Sequence, residues 1–314
     1  MVSDRKVLVL AGGISHERDI SLKSGRRVAE GLRSHGLDAT LRDPDASLID
    51  FLSAYAPEVV WPVLHGASGE DGALRGLLDM LGIAYVGSDG EATRIAWNKP
   101  VAKTLVERAG VATPASITLS RDAFRELGAE SVLDTVAEQL GMPLVVKPAF
   151  GGSAQGVSWV DSTEDLRKAM VHAFTYADSA LAESRVIGME VCVTIIDTGD
   201  GPVAIAPVEI EPLSGRYDFE ARYTAGATRF FAPARLDEAT VRTLHRDATL
   251  VFEALGLRHL ARVDFIVDAE GRAWFLEAST MPGLTETSST VLALDSAGYD
   301  VGSVYAALVN SARR

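Results

Sequence analysis

The stretch Leu260-Ala-Arg-Val-Asp-Phe-Ile-Val-Asp-Ala-Glu-Gly-Arg-Ala-Trp-Phe-Leu-Glu-Ala-Ser279 reads as two apolar strands joined by a short turn. Alternation along a strand places Arg262, Asp264 and Ile266 on one face. With the turn centred on Glu270-Gly271, Asp264 lies opposite Glu277 and Arg262 opposite Ser279. An unpaired charge in so apolar a setting is costly, so each of these side chains has a partner or a task. Two facing carboxylates repel unless one takes up a proton or a cation sits between them. Oxygen ligands without Cys or His nearby suit Mg²⁺, which keeps several waters and shares substrate phosphates. A salt bridge from Arg262 to one carboxylate is the alternative.

Working outward, Val145-Val-Lys-Pro-Ala-Phe-Gly-Gly-Ser-Ala-Gln-Gly-Val157 places a lysine at a strand end, then a glycine-rich loop, then a second strand. Glycine lets backbone N–H groups approach an anion and lysine adds a point charge, so the stretch suits phosphate. It is not a Walker loop, because the G-x-x-x-x-G-K-[ST] order is absent. A surface hairpin would explain the same glycines. Tyr217-Asp-Phe-Glu-Ala-Arg-Tyr-Thr-Ala-Gly-Ala227 is polar and aromatic without clear periodicity, either a surface loop or a lid delivering Arg222 and Tyr223 to a site. Gly12-Gly-Ile-Ser-His-Glu17 and Leu64-His-Gly-Ala-Ser-Gly-Glu-Asp-Gly72 both follow apolar strands, where open α/β sheets bind ligands.

The chain of 314 residues has room for two or three domains, and 47% hydrophobic with 23% charged residues is ordinary for a soluble globular protein. A formal charge of −13 argues against nucleic-acid binding, which needs a basic face. Cys192 is the only cysteine, so no intrachain disulfide forms and the chain fits a reducing compartment. No stretch reaches the apolar length of a membrane span, and the N-terminal run is too short for a signal-peptide core. The expectation is a cytoplasmic protein without nucleic-acid or membrane partners.

Strands at Val7–Ala11 and Val59–Leu64, with helices at about Ser21–Ser34 and Ala73–Leu81, imply a parallel α/β unit over residues 1–95. Residues 96–185 carry a helix at Lys99–Ala109 and strands at Leu144–Lys147 and Val157–Val160, an antiparallel α+β pattern. Residues 186–314 hold Glu190–Asp197, Val203–Pro207, a helix at Glu238–Leu255, the opening hairpin and a final helix at about Val304–Ser311.

In their joint order these motifs resemble the D-alanine–D-alanine ligase family of the ATP-grasp superfamily. The resemblance runs nearly end to end: Gly12-Gly, Leu64-His-Gly-x-x-Gly-Glu-Asp-Gly, Val146-Lys-Pro, Glu220-Ala-x-Tyr, Arg262-x-Asp and Leu276-Glu-Ala-x-Thr-x-Pro-Gly283. It implies an ATP-grasp fold, in which antiparallel sheets of a central and a C-terminal domain grip ATP beside an N-terminal α/β domain. It also implies a homodimer that makes the dipeptide for peptidoglycan through an acyl phosphate, with ATP and magnesium ions, or manganese in their place.

By resemblance Lys99, Lys147 and Arg222 contact ATP phosphates, Glu183, Ser184 and Val186 lie near the adenine, and Glu190 takes the ribose hydroxyls. Asp264, Glu277 and Ser279 would hold the metal. Arg262 and the Gly283 N–H would stabilise the tetrahedral oxyanion. Glu17 would accept the first amino acid's ammonium, with His65 close by. Glu17, Ser153 and Tyr223 resemble the triad that fastens the lid, and Ser288 and Ser289 belong to the second subsite. The lid tyrosine favours an amine nucleophile over the D-lactate of depsipeptide-forming relatives.

Four positions depart from the family pattern: Ser279 stands for asparagine, Arg222 for lysine, Ser184 for a lysine near the adenine, and Ser289 for a leucine. Ser279 and Ser289 keep open a specialised ligase of secondary metabolism with D-serine or a bulkier second substrate. The altered metal and lid residues keep open a nucleotide-binding regulator without catalysis.

Overall fold

The computed structural model describes residues 5–313, which form three sheets. In the first, β1 (Lys6–Leu10), β2 (Asp38–Arg42), β3 (Val59–Pro62) and β4 (Ala84–Tyr85) pair in parallel in the order β2-β1-β3-β4. Val7–Leu10 and Val59–Trp61 are almost wholly buried, as strands covered on both faces require. The helix expected from about Ser21 begins at Arg18, because its first turn, Arg18-Asp19-Ile20, lacks the apolar periodicity that reveals the rest.

The second sheet contains β5 (Ser116–Ser120), β6 (Leu144–Pro148), β7 (Ser158–Val160) and β8 (Ser179–Ser184), antiparallel in the order β5-β8-β6-β7. The glycine-rich loop joins β6 to β7. The third comprises β9 (Met189–Ile196), β10 (Val203–Ala204), β11 (Val208–Pro212), β12 (Thr228–Phe231), β13 (Leu260–Val267) and β14 (Ala273–Ser279). It is antiparallel in the order β12-β11-β9-β13-β14, with β10 beside β9.

The hairpin β13–β14 has Arg262 opposite Ser279 and Asp264 opposite Glu277, with a register shift after Asp264. Val263, Phe265 and Val267 point the other way, into a core closed by the helices Lys99–Arg108 and Glu238–Ala254. The charged residues therefore occupy the one face of the sheet that this core leaves free.

Two local structures differ from the sequence reading. The stretch Tyr217–Ala227 contains a five-residue helix, Phe219–Tyr223, whose first turn is capped by Asp218 accepting from the Ala221 N–H at 2.8 Å. The final helix starts at Val301 rather than Val304, because Asp300 caps it by accepting from the Ser303 N–H at 2.8 Å. That helix packs against Arg18–Ser34, and Tyr305 meets Trp61 edge-on at 5.3 Å, so the end of the chain completes the core of the first sheet.

Candidate functional site

Two adjoining cavities lie where the three sheets meet. The first opens between the second and third sheets and is lined by Lys147, Trp159, Glu183, Glu190 and Asp264, with Val186 and Ile187 at its connecting segment. Its cationic end is built by buried pairing. Glu183, 3% exposed, receives Lys103 at 2.5 Å and Lys147 at 2.6 Å. Burial works to protonate Glu183, but Lys147 and Lys103 outweigh it and hold the carboxyl below its usual range. Burial in turn lowers the Lys103 ammonium, against the attraction of Glu183.

Across the cavity, Arg262 grips Asp264 with both Nε and Nη2, at 2.6 and 2.7 Å. Glu277 faces Lys99 at 3.2 Å. Burial pushes Glu277 up, yet Lys99, Arg222, Lys147 and Arg262 together bring it down to about 2. Burial raises Glu190 to about 7, with Arg222 opposing and Asp264 and Glu277 adding to the rise. The Arg262–Asp264 pair is the salt bridge that the sequence left open, and Glu277 has a cation of its own in Lys99. Among the described residues no group of three or more His, Cys, Asp or Glu side chains is arranged to hold a metal.

The second cavity is lined by Glu17, His65, Glu70, Arg262, Ser279, Gly283, Ser288 and Ser289. Tyr223 donates to Glu17 at 2.8 Å, and the Ser153 hydroxyl, which also donates to Glu17, meets the Tyr223 hydroxyl at 2.6 Å. Ser153 and Ala154 take left-handed backbone conformations, φ 55° and 56°, which cost energy for residues other than glycine. The loop is held in that shape where it reaches Glu17 and the lid. Ser288 Oγ accepts from the Thr285 N–H at 3.0 Å. Burial lowers the His65 imidazole, and its Nε2 has no partner among the described residues.

Lys99, Gly151, Gly152, Tyr217, Arg222 and Glu277 line both cavities, so an anion in the first lies against whatever fills the second. Arg222, stacked 4.3 Å over the Tyr217 ring, is delivered by the lid helix. Ser279 lines only the second cavity and Asp264 only the first. Ser184 lines the first, but its hydroxyl donates to the Leu140 carbonyl at 3.0 Å. Chemically, the first cavity suits a polyphosphate with a flat apolar base. The second suits a small zwitterion, with acids for an ammonium and Arg262 for a carboxylate.

The family model described as D-ala D-ala ligase C-terminus matches residues 105–310, and its N-terminal counterpart matches residues 38–88. The chain belongs to the D-alanine–D-alanine ligase family. The D-alanine–D-alanine ligase of Bordetella petrii is 36% identical over 307 residues, covering 98% of this chain and 92% of the relative. Among solved structures, the VanG D-Ala:D-Ser ligase from Enterococcus faecalis superposes with a TM-score of 0.85 at 25% identity, covering 98% of this chain and 99% of that one. The D-alanine–D-alanine ligase from Bacillus anthracis complexed with ATP gives 0.80 at 24% identity, covering 98% and 95%.

For a member of this ligase family, two residues in the site were not singled out from the sequence. Glu70 sits inside the quoted Leu64–Gly72 stretch, and an acid in a glycine-rich loop after a strand was the available signal. Lys103 gave none, since its partner Glu183 is 80 positions away.

Proposed function

We propose that this chain is an ATP-dependent ligase that joins two molecules of D-alanine through an acyl phosphate, in the cytoplasm, for peptidoglycan precursor synthesis. A carboxylate is a poor electrophile because its charge is delocalised and its oxygen leaves badly. Its oxygen attacks the γ-phosphorus and ADP leaves. The amine of the second D-alanine then attacks the carbonyl carbon, and phosphate departs with the former carboxylate oxygen. Catalysis of this kind is mainly positioning and charge neutralisation.

The observation that carries this reading is the shared wall of Lys99, Arg222 and Glu277, across which a carboxylate held in the second cavity would meet a terminal phosphate held in the first. Lys99, Lys147 and Arg222 neutralise the phosphates, Glu183 and Val186 border the adenine, and Glu190 takes the ribose. Glu17, with His65, receives the first ammonium. Arg262 and the Gly283 N–H face the developing oxyanion, and arginine remains charged there. Glu17, Ser153 and Tyr223 hold the lid over the second substrate, whose carboxylate meets Ser288.

Asp264 and Glu277, opposed on neighbouring strands, offer the oxygen donors that Mg²⁺ takes when it shares its ligands with phosphate and water. Arg262 and Lys99 pair with these carboxylates in the structure, and an ion bound there would take their place. Asp264 and Glu277 would hold the ion, with Ser279 contributing a weaker hydroxyl. Bound there, magnesium would neutralise charge on the transferring phosphoryl group.

Pairing of two copies is part of the proposal, supported by the apolar Leu77, Met80 and Leu81 that lie exposed on and after the helix Ala73–Met80. Among the described residues no helix is long and apolar enough to cross a membrane.

Ser289, buried in the second cavity's wall, favours a second reading in which D-serine is the nucleophile. Phosphate release measured over a matrix of D- and L-amino acids tests both. D-alanine alone at millimolar concentration with Mg²⁺ should support turnover. Silence with D-alanine overturns the first reading, and a clear preference for D-alanine in both subsites removes the second.

A further inference from the structure

Arg75 is 1% exposed, one of the largest fully buried side chains of the molecule, yet it lines neither cavity. It lies in the first turn of the helix Ala73–Met80, and its Nη1 donates to the Gly69 carbonyl. Its Nε and Nη2 have no hydrogen-bond partner among the described residues. Gly87 passes over the guanidinium, so close that a Cβ there would stand 3.4 Å from Nη2. A guanidinium sealed in this way with one acceptor is a poor source of stability, because burying a charge costs more than a single hydrogen bond returns. Burial lowers it to about 10, with Glu70 foremost among the groups opposing that fall, so it remains a cation near neutrality.

The peptide that Arg75 holds leads directly into the site. Gly69 is pressed against the Leu64 carbonyl with no room for a Cβ, so the loop has little freedom of its own. Glu70 follows, its Oε2 accepting from the Gly66 N–H at 2.8 Å and its Oε1 from Ser279 Oγ at 3.4 Å. Glu70 and Glu17 line the same cavity; burial and then Glu17 push the Glu70 carboxyl up to about 8, while the Gly66 N–H and Arg75 oppose that rise. Arg262 lines this cavity but is paired with Asp264, and Arg75 is the buried cation behind the loop.

We propose that Arg75 is a positioning residue for the first amino-acid subsite: it pins the Gly69–Glu70 peptide and, as a cation behind the loop, keeps the Glu70 carboxyl turned into the cavity beside Glu17. This rests on the ligase reading, because it needs a first amino acid whose ammonium those acids receive.

The test is the dependence of turnover on D-alanine, resolved into its two KM values, with the ATP KM and Tm, for Arg75→Met, Arg75→Lys and Leu78→Ala. Leu78 is fully buried on the same helix and supplies a purely structural loss. Arg75→Met should raise the first D-alanine KM tenfold or more and leave the second and the ATP KM within twofold. Arg75→Lys, which keeps the charge and a donor, should recover most of that loss. Leu78→Ala should lower Tm without a selective change. If Arg75→Met does not fold, Arg75→Gln, which keeps a donor without the charge, takes its place and should raise the first KM at least threefold. An unchanged first KM, or all three KM values rising with the fall in Tm as in Leu78→Ala, overturns the proposal alone. A wild-type protein that ignores D-alanine overturns the ligase reading and this proposal with it.

Discussion

Asp264 and Glu277 face each other across β13 and β14, and each is neutralised by a different cation, Arg262 and Lys99. On the proposed reading, a divalent cation would take over the two carboxylates and leave Arg262 and Lys99 free for the phosphates and the reacting groups. Asp264→Asn should lower kcat on the order of 10²–10³-fold, the scale for losing one preorganised electrostatic group, and also lower the Tm, because Arg262 loses its charged partner. Steady-state phosphate release beside a thermal melt checks it. Tyr223→Phe removes the hydroxyl that bonds both Glu17 and Ser153 and keeps the ring. A net hydrogen bond of about 1 kcal/mol corresponds to roughly a fivefold rise in the second D-alanine KM, read from initial rates. At this scale the sequence displayed residue types but not distant partners. Arg262, Asp264 and Glu277 stand out because charge interrupts apolar alternation. Lys103 and Arg75 sit in helical patterns where an exposed base is the ordinary reading, and only the folded chain buries them.

The hairpin was legible because strand period and turn chemistry act over a few residues, and they set the opposition of Asp264 and Glu277. The lid helix Phe219–Tyr223 was not, since five residues carry no period and rest on the Asp218 cap and on packing. Asp218→Ala should therefore cost about 1 kcal/mol locally, raise the second D-alanine KM and scarcely alter global Tm, which kinetics and a melt separate. A second element carries a pH signature. His259, before β13, accepts the Gly87 N–H at Nδ1 at 2.9 Å and ties the third sheet to the loop after β4. Burial, followed by Arg258, lowers its imidazole to about 4. Because the folded value lies below the ordinary value of about 6.5, the unfolded chain binds the proton first as pH falls. Stability is full above about 6.5 and is lost down to about 4, up to about 3 kcal/mol. His259→Asn keeps an acceptor and tolerates the left-handed backbone at φ 66°, so Tm plotted against pH should flatten between those values.

Over the whole molecule, the ATP-grasp fold expected from six ordered motifs is present: a parallel sheet and two antiparallel sheets converge on the paired cavities. Less visible in the sequence was the return of the final helix to the first sheet, where Tyr305 packs on Trp61. That contact joins residues 244 positions apart, and no local pattern encodes such a distance. It belongs to a core that also takes in Cys192, Ile196, Val208 and Leu260 of the third sheet, so the first sheet, whose following helix is preceded by Glu17, shares one core with the sheet that carries Arg262. The central claim is that this shared site lets a nucleotide activate a carboxyl group for attack by an amine. The most direct measurement follows the oxygen: D-alanine labelled with ¹⁸O in its carboxylate is turned over with ATP and Mg²⁺, and the released phosphate is analysed by mass spectrometry. One labelled oxygen per phosphate is the predicted result, and phosphate released without label from a reaction that forms the dipeptide would contradict the account.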